Sequence, residues 1–522
     1  MNSNSLHIID YTIIACSLAI PLLVSLFFAK KQNTVNNFFK AGGKLPAWAV
    51  GISLMATLVS SITFLAYPGE GFSSNWILLV QGLMVPVTLV LFIFFLVPLY
   101  RDVIQLSAYE YFEKRFGFLA RLYTSLGFFL AHFSKMGTVF FLVALAFSKM
   151  TGFNTVEMIW ILGLIVIFIT LIGGMEAVIW LDVIQGFLLI FGGVAALSII
   201  IFSTPGGFSA IWHVAEENNH IGFGPYDLNF VNLTFVVMVL NGIFYAIQKY
   251  GTDQTVVQRY LTAKSNRQAV KASLIGVFST VPVWALFMFL GTALFSYYIL
   301  SGDVLPEGIR PDAVFPHFIM TKLPVGVIGL ILSALLAAAI SSLDSDLNCL
   351  SAVFLKDYYL RFKPDVSEKH QVIVSKVTIV IAGLTSIAVA SYYTRIGGEG
   401  VLGIIFMLYS IFSGGIAGMF LLGIFSTKAN KQGVYIGMLA CIVFTAWAVL
   451  TSTSTGDGDN RHLIINLGSY NFTHHKYMLG VYSHLVLFGI GLAASYFFRS
   501  EKQIDHLTYK GWLMMKKKNN QT

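Results

Sequence analysis

The chain has 522 residues, of which 56% are hydrophobic and 11% charged, and it carries a formal net charge of +8. Such a balance describes a polypeptide solvated mostly by lipid, which excludes an ordinary soluble enzyme domain. The positive charge is spread over short loops, with no compact basic domain, so it points to anionic lipid headgroups and not to nucleic acid.

About thirteen apolar segments follow one another, at 8–29, 46–66, 76–99, 118–148, 156–173, 178–202, 229–248, 272–299, 324–355, 372–393, 401–425, 432–451 and 477–498. Each has the length a membrane-spanning helix needs, roughly 17 to 25 residues. If the connections alternate sides, one side collects Lys30, Lys31, Lys40, Arg101, Lys114, Arg115, Lys249, Arg259, Lys356, Arg361, Lys428 and the tail residues Lys516, Lys517 and Lys518. The other side holds only Lys149, Arg310, Lys322, Arg395, Arg461 and Lys476. The positive-inside rule then places the N-terminus outside and the C-terminus in the cytoplasm, and compact loops suit a bacterial plasma membrane. The first segment lacks a basic leader and a small-residue cleavage pattern, so it reads as a retained helix. Three hydrophilic excursions, 203–228, 356–371 and 452–476, are too short for a separate catalytic domain. Cys16, Cys349 and Cys441 all lie in apolar segments and suggest neither a disulfide framework nor a metal cluster.

Function must then be sought in polar residues at bilayer depth, which are costly unless they serve a purpose. The second segment carries Thr57, Ser60, Ser61 and Thr63 within one short run. Such hydroxyls help a helix unwind, and unwound carbonyls suit a hard cation; close helix packing is the structural alternative. In the ninth segment Ala338, Ser341 and Ser345 recur on one helical face with Ser342 and Asp344 beside them. Asp344 calls for a cation, a proton or a basic partner, and an ion pair with Lys135 is its structural alternative. Asp346, nearer the cytoplasmic end, reads as structural. In the sixth segment Asp182 follows the turn-permitting pair Gly173-Gly174 by about two helical turns, and interfacial solvation accounts for it almost as well as ion binding. His132 lies well inside a span, with no histidine-rich motif around it, so a metalloenzyme reading has no support.

Together with Gly251-Thr252-Asp253-Gln254-Thr255-Val256-Val257-Gln258-Arg259-Tyr260, these stretches resemble the sodium:solute symporter family. The resemblance implies an all-α integral membrane protein of LeuT type. Its organisation would be an extra helix and basic loop at 1–45, a first five-helix repeat at 46–202 and an extracellular loop with an inverted second repeat at 203–425. Two accessory helices at 426–498 and a basic cytoplasmic tail at 499–522 would complete it. The resemblance also implies Na⁺ as the co-transported ion. A main site would use Ala56, Val59, Ala338, Ser341 and Ser342, and a second site Asp182, Ser341, Asp344 and Ser345. A hydroxyl residue is the usual one where Asp344 stands.

Solute would bind beside Ser60, Ser61, Thr63, Gln81 and Lys135. Within the family the bacterial sialic acid symporters are similar in Ser60-Ser61-Ile62-Thr63-Phe64, Ser107-Ala108-Tyr109-Glu110-Tyr111 and Val178-Ile179-Trp180. They carry arginine where Lys135 stands, while the sugar-binding asparagine and histidine of the glucose branch are here Leu58 and Thr63. The function implied is sodium-coupled import of a sugar or acidic sugar such as sialic acid. A monocarboxylate or other organic-anion symporter, and a sensor or channel-like protein on the same fold, are the alternatives. Solute, Na⁺ and membrane lipids are the partners, with no nucleic acid and no obligate protein.

Overall fold

Residues 47–73, one apolar segment in the sequence, form two helices. In the computed structural model, which describes residues 6–395, 411, 413–455, 462–498 and 505–519, α3 (Ala47–Leu58) and α4 (Ser61–Ser73) meet at 58°. Val59 and Ser60 are extended, with ψ of 99° and 179°. Ser60 fixes the restart: its Oγ accepts the Ile62 amide at 3.2 Å and caps α4.

Before this break come α1 (Ile8–Phe28) and the short α2 (Val35–Lys40). After it run α5 (Leu79–Val103), α6 (Glu110–Phe116), α7 (Phe118–Thr151), α8 (Thr155–Ser203), α9 (Gly207–Glu217), α10 (Phe235–Thr252) and α11 (Gln254–Thr262). Then follow α12 (Asn266–Ser301), α13 (Pro311–Lys322), α14 (Val327–Val353), α15 (Glu368–Arg395), α16 (Ile416–Phe425), α17 (Lys431–Ser452), α18 (Lys476–Ser495) and α19 (Tyr509–Asn519). Among the described residues nine helices are long and apolar enough to cross a membrane, ten with the α3–α4 pair. The eleventh apolar segment, 401–425, is described mainly from Ser413 onward and contributes α16; residues 401–410 and 412 lie outside the described residues.

The broken span is gripped by α12 through small residues. A Cβ on Gly71 would stand 2.1 Å from the Met288 carbonyl, and one on Gly291 2.1 Å from the Pro68 carbonyl, so backbone meets backbone where α4 crosses α12. α8 passes through both the fifth and sixth segments as 49 residues interrupted at Gly174, whose φ of 59° and ψ of −172° only glycine adopts readily. α1 is pinned to the start of α14, where Asp10 Oδ1 accepts the Gly326 and Gly329 amides at 2.8 Å each. The carboxylate there satisfies amides that an isolated helix start leaves unpaired.

Every residue of α11 is buried. Its Gln254 holds the chain at 106–108, accepting the Ala108 amide at 2.7 Å and donating to the Leu106 carbonyl at 2.8 Å. Gln258 donates to the Phe39 carbonyl and to Asn348 Oδ1, both at 2.8 Å. This explains the polar run 251–260 as the tie between the two halves of the bundle on one side. Two details depart from a plain all-helical reading. The excursion at 452–476 contains a two-stranded antiparallel pair, Ser454–Thr455 with His462–Leu463. In the basic tail, α19 and the preceding turn bury Trp512 and Leu507, and Tyr111 Oη donates to the Leu507 carbonyl at 3.1 Å.

Candidate ion and solute site

The break between α3 and α4 lies against the middle of α14, and the first expected donor set converges there. Ser341 Oγ is 3.2 Å from the Ala56 carbonyl and 3.3 Å from that of Ala338, while Ser342 Oγ is 3.5 Å from the Thr57 carbonyl. Val59 caps the end of α3 in extended conformation one residue before Ser60. Ala56, Val59, Ala338, Ser341 and Ser342 are all buried. The arrangement offers neutral oxygens only, from backbone carbonyls and hydroxyls, at the end of a helix whose last carbonyls lack helical partners. That chemistry fits a hard monovalent cation such as Na⁺.

About one turn along α14 toward its C-terminal end the character changes. Asp182 is fully buried, and its Oδ2 accepts Ser53 Oγ at 2.5 Å and Arg259 Nη2 at 2.8 Å. Arg259, also fully buried, continues to Ser345 Oγ at 2.7 Å, Ser53 Oγ at 2.8 Å and the Thr255 carbonyl at 2.6 Å. Asp344 is equally buried, with Ser345 Oγ donating to its Oδ1 at 3.4 Å. Asp182 Oδ1 and Asp344 Oδ2 are buried without a hydrogen-bond partner. One guanidinium therefore stands among two carboxylates, so the second of them calls for a cation or a proton. Of the expected set Asp182, Ser341, Asp344 and Ser345, three gather around one centre, while Ser341 Oγ turns to the Ala56 and Ala338 carbonyls. Asp182 is no interfacial residue, because it ends on the guanidinium of α11.

Lys135 does not pair with Asp344. Its Nζ hydrogen-bonds Asp346 Oδ1 at 3.2 Å and stands 3.0 Å from Oδ2. Asp346 also meets His132 Nδ1 at 2.9 Å, and His132 Nε2 lies 3.4 Å from Asp253 Oδ2. Asp253 caps α11 by accepting the Thr255 amide at 2.8 Å and pairs with Lys249 at 2.6 Å. Asp346, read from the sequence as merely structural, is thus the counterion of a candidate solute residue. The helix register explains the swap: Asp344 and Asp346 sit two positions apart, about 200° around α14, so one faces Arg259 and the other faces α7.

Of the remaining solute candidates, Ser61 and Thr63 are buried in the first turn of α4, and Ser61 Oγ has no hydrogen-bond partner. Ser60 is buried as the cap of α4. Gln81 lies half-buried on α5, where its backbone abuts Gly242 of α10. Gly82 beside it faces the ring of Trp284. Sequence reasoning missed the roles of Ser53, Arg259, His132, Lys249 and Asp253. Arg259, Asp253 and His132 gave a signal, since each is an ionisable residue in or beside an apolar span; the pairing partners are distant in sequence.

Compared with known proteins, residues 38–441 match the description "Sodium:solute symporter family". A sodium/sialic acid symporter of Proteus mirabilis is 34% identical over 447 residues, 85% of this chain and 90% of that protein. The solved substrate-bound outward-open state of a Na⁺-coupled sialic acid symporter superposes with a TM-score of 0.87 at 31% identity, covering 95% of this chain and 99% of that one. A nucleobase-cation-symport-1 family transporter in a closed conformation shares the fold alone, at 14% identity and a TM-score of 0.53 over 92% of this chain and 99% of that one.

Proposed function

Since the chain belongs to the sodium:solute symporter family and is a membrane-embedded, sodium-coupled transporter of a small solute, we propose that its solute is an acidic sugar of the sialic acid class. The observation that carries this reading is the near full-length likeness to a sialic acid symporter in both sequence and structure. Lys135 supports it by supplying a cation at the place where a solute carboxylate would bind.

In this reading Na⁺ enters from outside and bridges Ala56 and Val59 to Ala338, Ser341 and Ser342. The bridge joins the broken span to α14 and stabilises the outward-open state. A second Na⁺ is held by Asp182, Asp344 and Ser345, with Arg259 balancing one of the two carboxylates. Solute binds beside Ser60, Ser61, Thr63, Gln81 and Lys135, with the N-terminal dipole of α4 and the ammonium both favouring an anion. Rocking of the bundle then opens the cytoplasmic side. At about 100 mV each net positive charge moved inward contributes about 2.3 kcal/mol, roughly fifty-fold accumulation.

The organisation proposed is thirteen spans, with α8 divided at Gly174 and further spans counted in α10 and in 401–425. Segment 46–202 forms one repeat and 203–425 its inverted partner, with extra helices at 1–45 and 426–498 and the tail at 499–522. The N-terminus lies outside and the C-terminus inside a bacterial plasma membrane. A straight helix of 49 residues would run about 73 Å at 1.5 Å per residue, more than twice a bilayer core of about 30 Å, which favours dividing α8.

The test is uptake into proteoliposomes of labelled N-acetylneuraminic acid, glucose, galactose, inositol and pyruvate, each driven by an inward Na⁺ gradient or with K⁺ in its place. Sodium-dependent accumulation of N-acetylneuraminic acid is expected. Accumulation of pyruvate alone would replace the acidic sugar by a monocarboxylate, and saturable binding without accumulation would replace transport by sensing.

A further inference from the structure

The two ring nitrogens of His132 each face a carboxylate, Asp346 Oδ1 at 2.9 Å on α14 and Asp253 Oδ2 at 3.4 Å at the start of α11. A neutral imidazole donates from one nitrogen and presents a lone pair at the other, so in this geometry it would set a lone pair against a carboxylate oxygen. Only the doubly protonated ring donates at both ends. Among the described residues, the groups around it are Lys135 on the same helix, Lys249 on α10 pairing with Asp253, the ring of Phe128 with its centroid 4.1 Å away, and Tyr109, Thr124, Gln248 and Thr252, which line a small cavity with His132 and Asp253.

Counting His132 as a cation, the cluster holds three positive groups, His132, Lys135 and Lys249, against two negative ones, Asp346 and Asp253. Within this cluster one positive group is in excess, while the adjoining layer of Arg259, Asp182 and Asp344 has one carboxylate in excess, so access decides which group can meet a solute. The surplus is reachable at Lys135, whose side chain is 25% exposed, against 4% for His132, 0% for Asp346 and about 15% for the Lys249–Asp253 pair. Asp346 meanwhile has a second partner besides Lys135, since His132 Nδ1 lies 2.9 Å from its Oδ1, against 3.0 and 3.2 Å for Lys135 Nζ to the two carboxylate oxygens.

We infer that His132 is held as an imidazolium and is a specificity-determining positioning residue of the solute site: by occupying Asp346 and Asp253 it leaves the Lys135 ammonium able to receive a carboxylate. A neutral sugar gains nothing from this ammonium, whereas the carboxylate of an acidic one pairs with it. The inference rests on the proposed reading of Lys135 as a solute residue. It assigns His132 the part of setting how strongly Lys135 is held by its own protein. If His132 loses its proton, one carboxylate loses a donor, Asp346 takes Lys135 as its main counterion, and the solute must compete with it.

Two measurements test this. In protein labelled with ¹⁵N-histidine, the His132 ring, assigned by its loss in His132→Gln, is expected to give an imidazolium signal at pH 7; a neutral ring would overturn the inference whatever the solute is. The second measurement is the KM for N-acetylneuraminic acid in proteoliposomes at saturating Na⁺ and equal pH on both sides. It is expected to rise about tenfold or more as pH passes through the His132 titration, since one charge-assisted hydrogen bond is exchanged for competition. In His132→Gln the KM stays high and flat, and that of the neutral methyl ester does not follow pH in either protein. A wild-type KM indifferent to pH would refute the assigned role. Should N-acetylneuraminic acid not be carried, the solute reading falls separately and pyruvate takes its place in the assay; an imidazolium with neither carboxylate carried would likewise overturn the anion role.

Discussion

Two neighbouring stretches of α14 bind charge in opposite ways. Around Ala338, Ser341 and Ser342 every available oxygen is neutral, whereas around Asp344, Ser345 and Asp346 four carboxylates, one guanidinium, two ammoniums and a histidine are packed within reach of one another. The neutral stretch can be empty or filled without leaving a bare charge. The charged stretch cannot, so each of its groups must be compensated in every state. A transporter that passes through states with and without its cargo needs both kinds: an ion site that tolerates emptiness, and a charged layer whose balance shifts when cargo arrives.

The sharpest way to break that contrast is to remove a permanent charge. Arg259→Met leaves Asp182 buried without its cation, and removing one partner of a buried pair typically costs about 3–5 kcal/mol. Thermal unfolding of the purified protein is expected to show a large loss of stability. Adding Asp182→Asn is expected to restore most of it, because the double change removes both charges. If Arg259→Met were as stable as wild type, the guanidinium would not be neutralising the layer.

Ser342→Ala probes the neutral stretch. It removes a hydroxyl donor but no charge, so stability should scarcely change while the Na⁺ concentration for half-maximal uptake rises by about one order of magnitude, the scale of one interaction with a charged group. Solute KM at saturating Na⁺ is expected to stay within about twofold. An unchanged sodium dependence would move the main ion site elsewhere. Asp344→Ser lies between the two cases. It removes the uncompensated carboxylate, leaving Arg259 and Asp182 as a balanced pair, so folding is expected to be unharmed or improved. The Na⁺ dependence of uptake should become shallower as the second ion binds less tightly, read as a lower Hill coefficient.

Much of this was legible in the sequence, and the limits have physical causes. The proposed main ion set could be named because its members lie in two short runs, 56–59 and 338–342, whose composition already marks an unwound helix and a small-residue face. The break itself followed from four hydroxyls in a span, and the turn at Gly174 from a glycine pair. What stayed hidden was pairing. Asp344 and Asp346 look alike in a string of letters, yet they project to different neighbours, and only the packing of α7 and α11 against α14 decides that Lys135 belongs to Asp346 and Arg259 to Asp182. Asp10 stayed hidden for the same reason, since its partners are amides more than three hundred residues away. The docking of the basic tail through Trp512 was also out of reach, because a charge-rich segment whose aromatic residues are only Tyr509 and Trp512 carries no periodic signal.

The mildest test compares the buried charges with an ion cluster at the membrane edge. On the short helix α6, Glu113 accepts from Arg361 Nη1 at 2.7 Å and is bridged to Arg121, joining α6, α7 and the turn after α14. Burial raises its carboxyl, yet the hydrogen bonds from Arg121 and Arg361 outweigh that and hold it below the ordinary carboxylate range. A group whose folded pKa is depressed contributes stability that is complete above its unfolded pKa, about 4.3, and is lost as pH falls through the lower folded value. Because Glu113 keeps about a quarter of its side chain exposed and water screens it, Glu113→Gln is expected to lower the unfolding temperature only slightly at pH 7. The difference from wild type should vanish on acidification and shrink in high salt. A loss comparable to that of Arg259→Met, or one that persists in acid, would mean that the edge cluster behaves like the buried layer and that depth in the membrane is not what separates them.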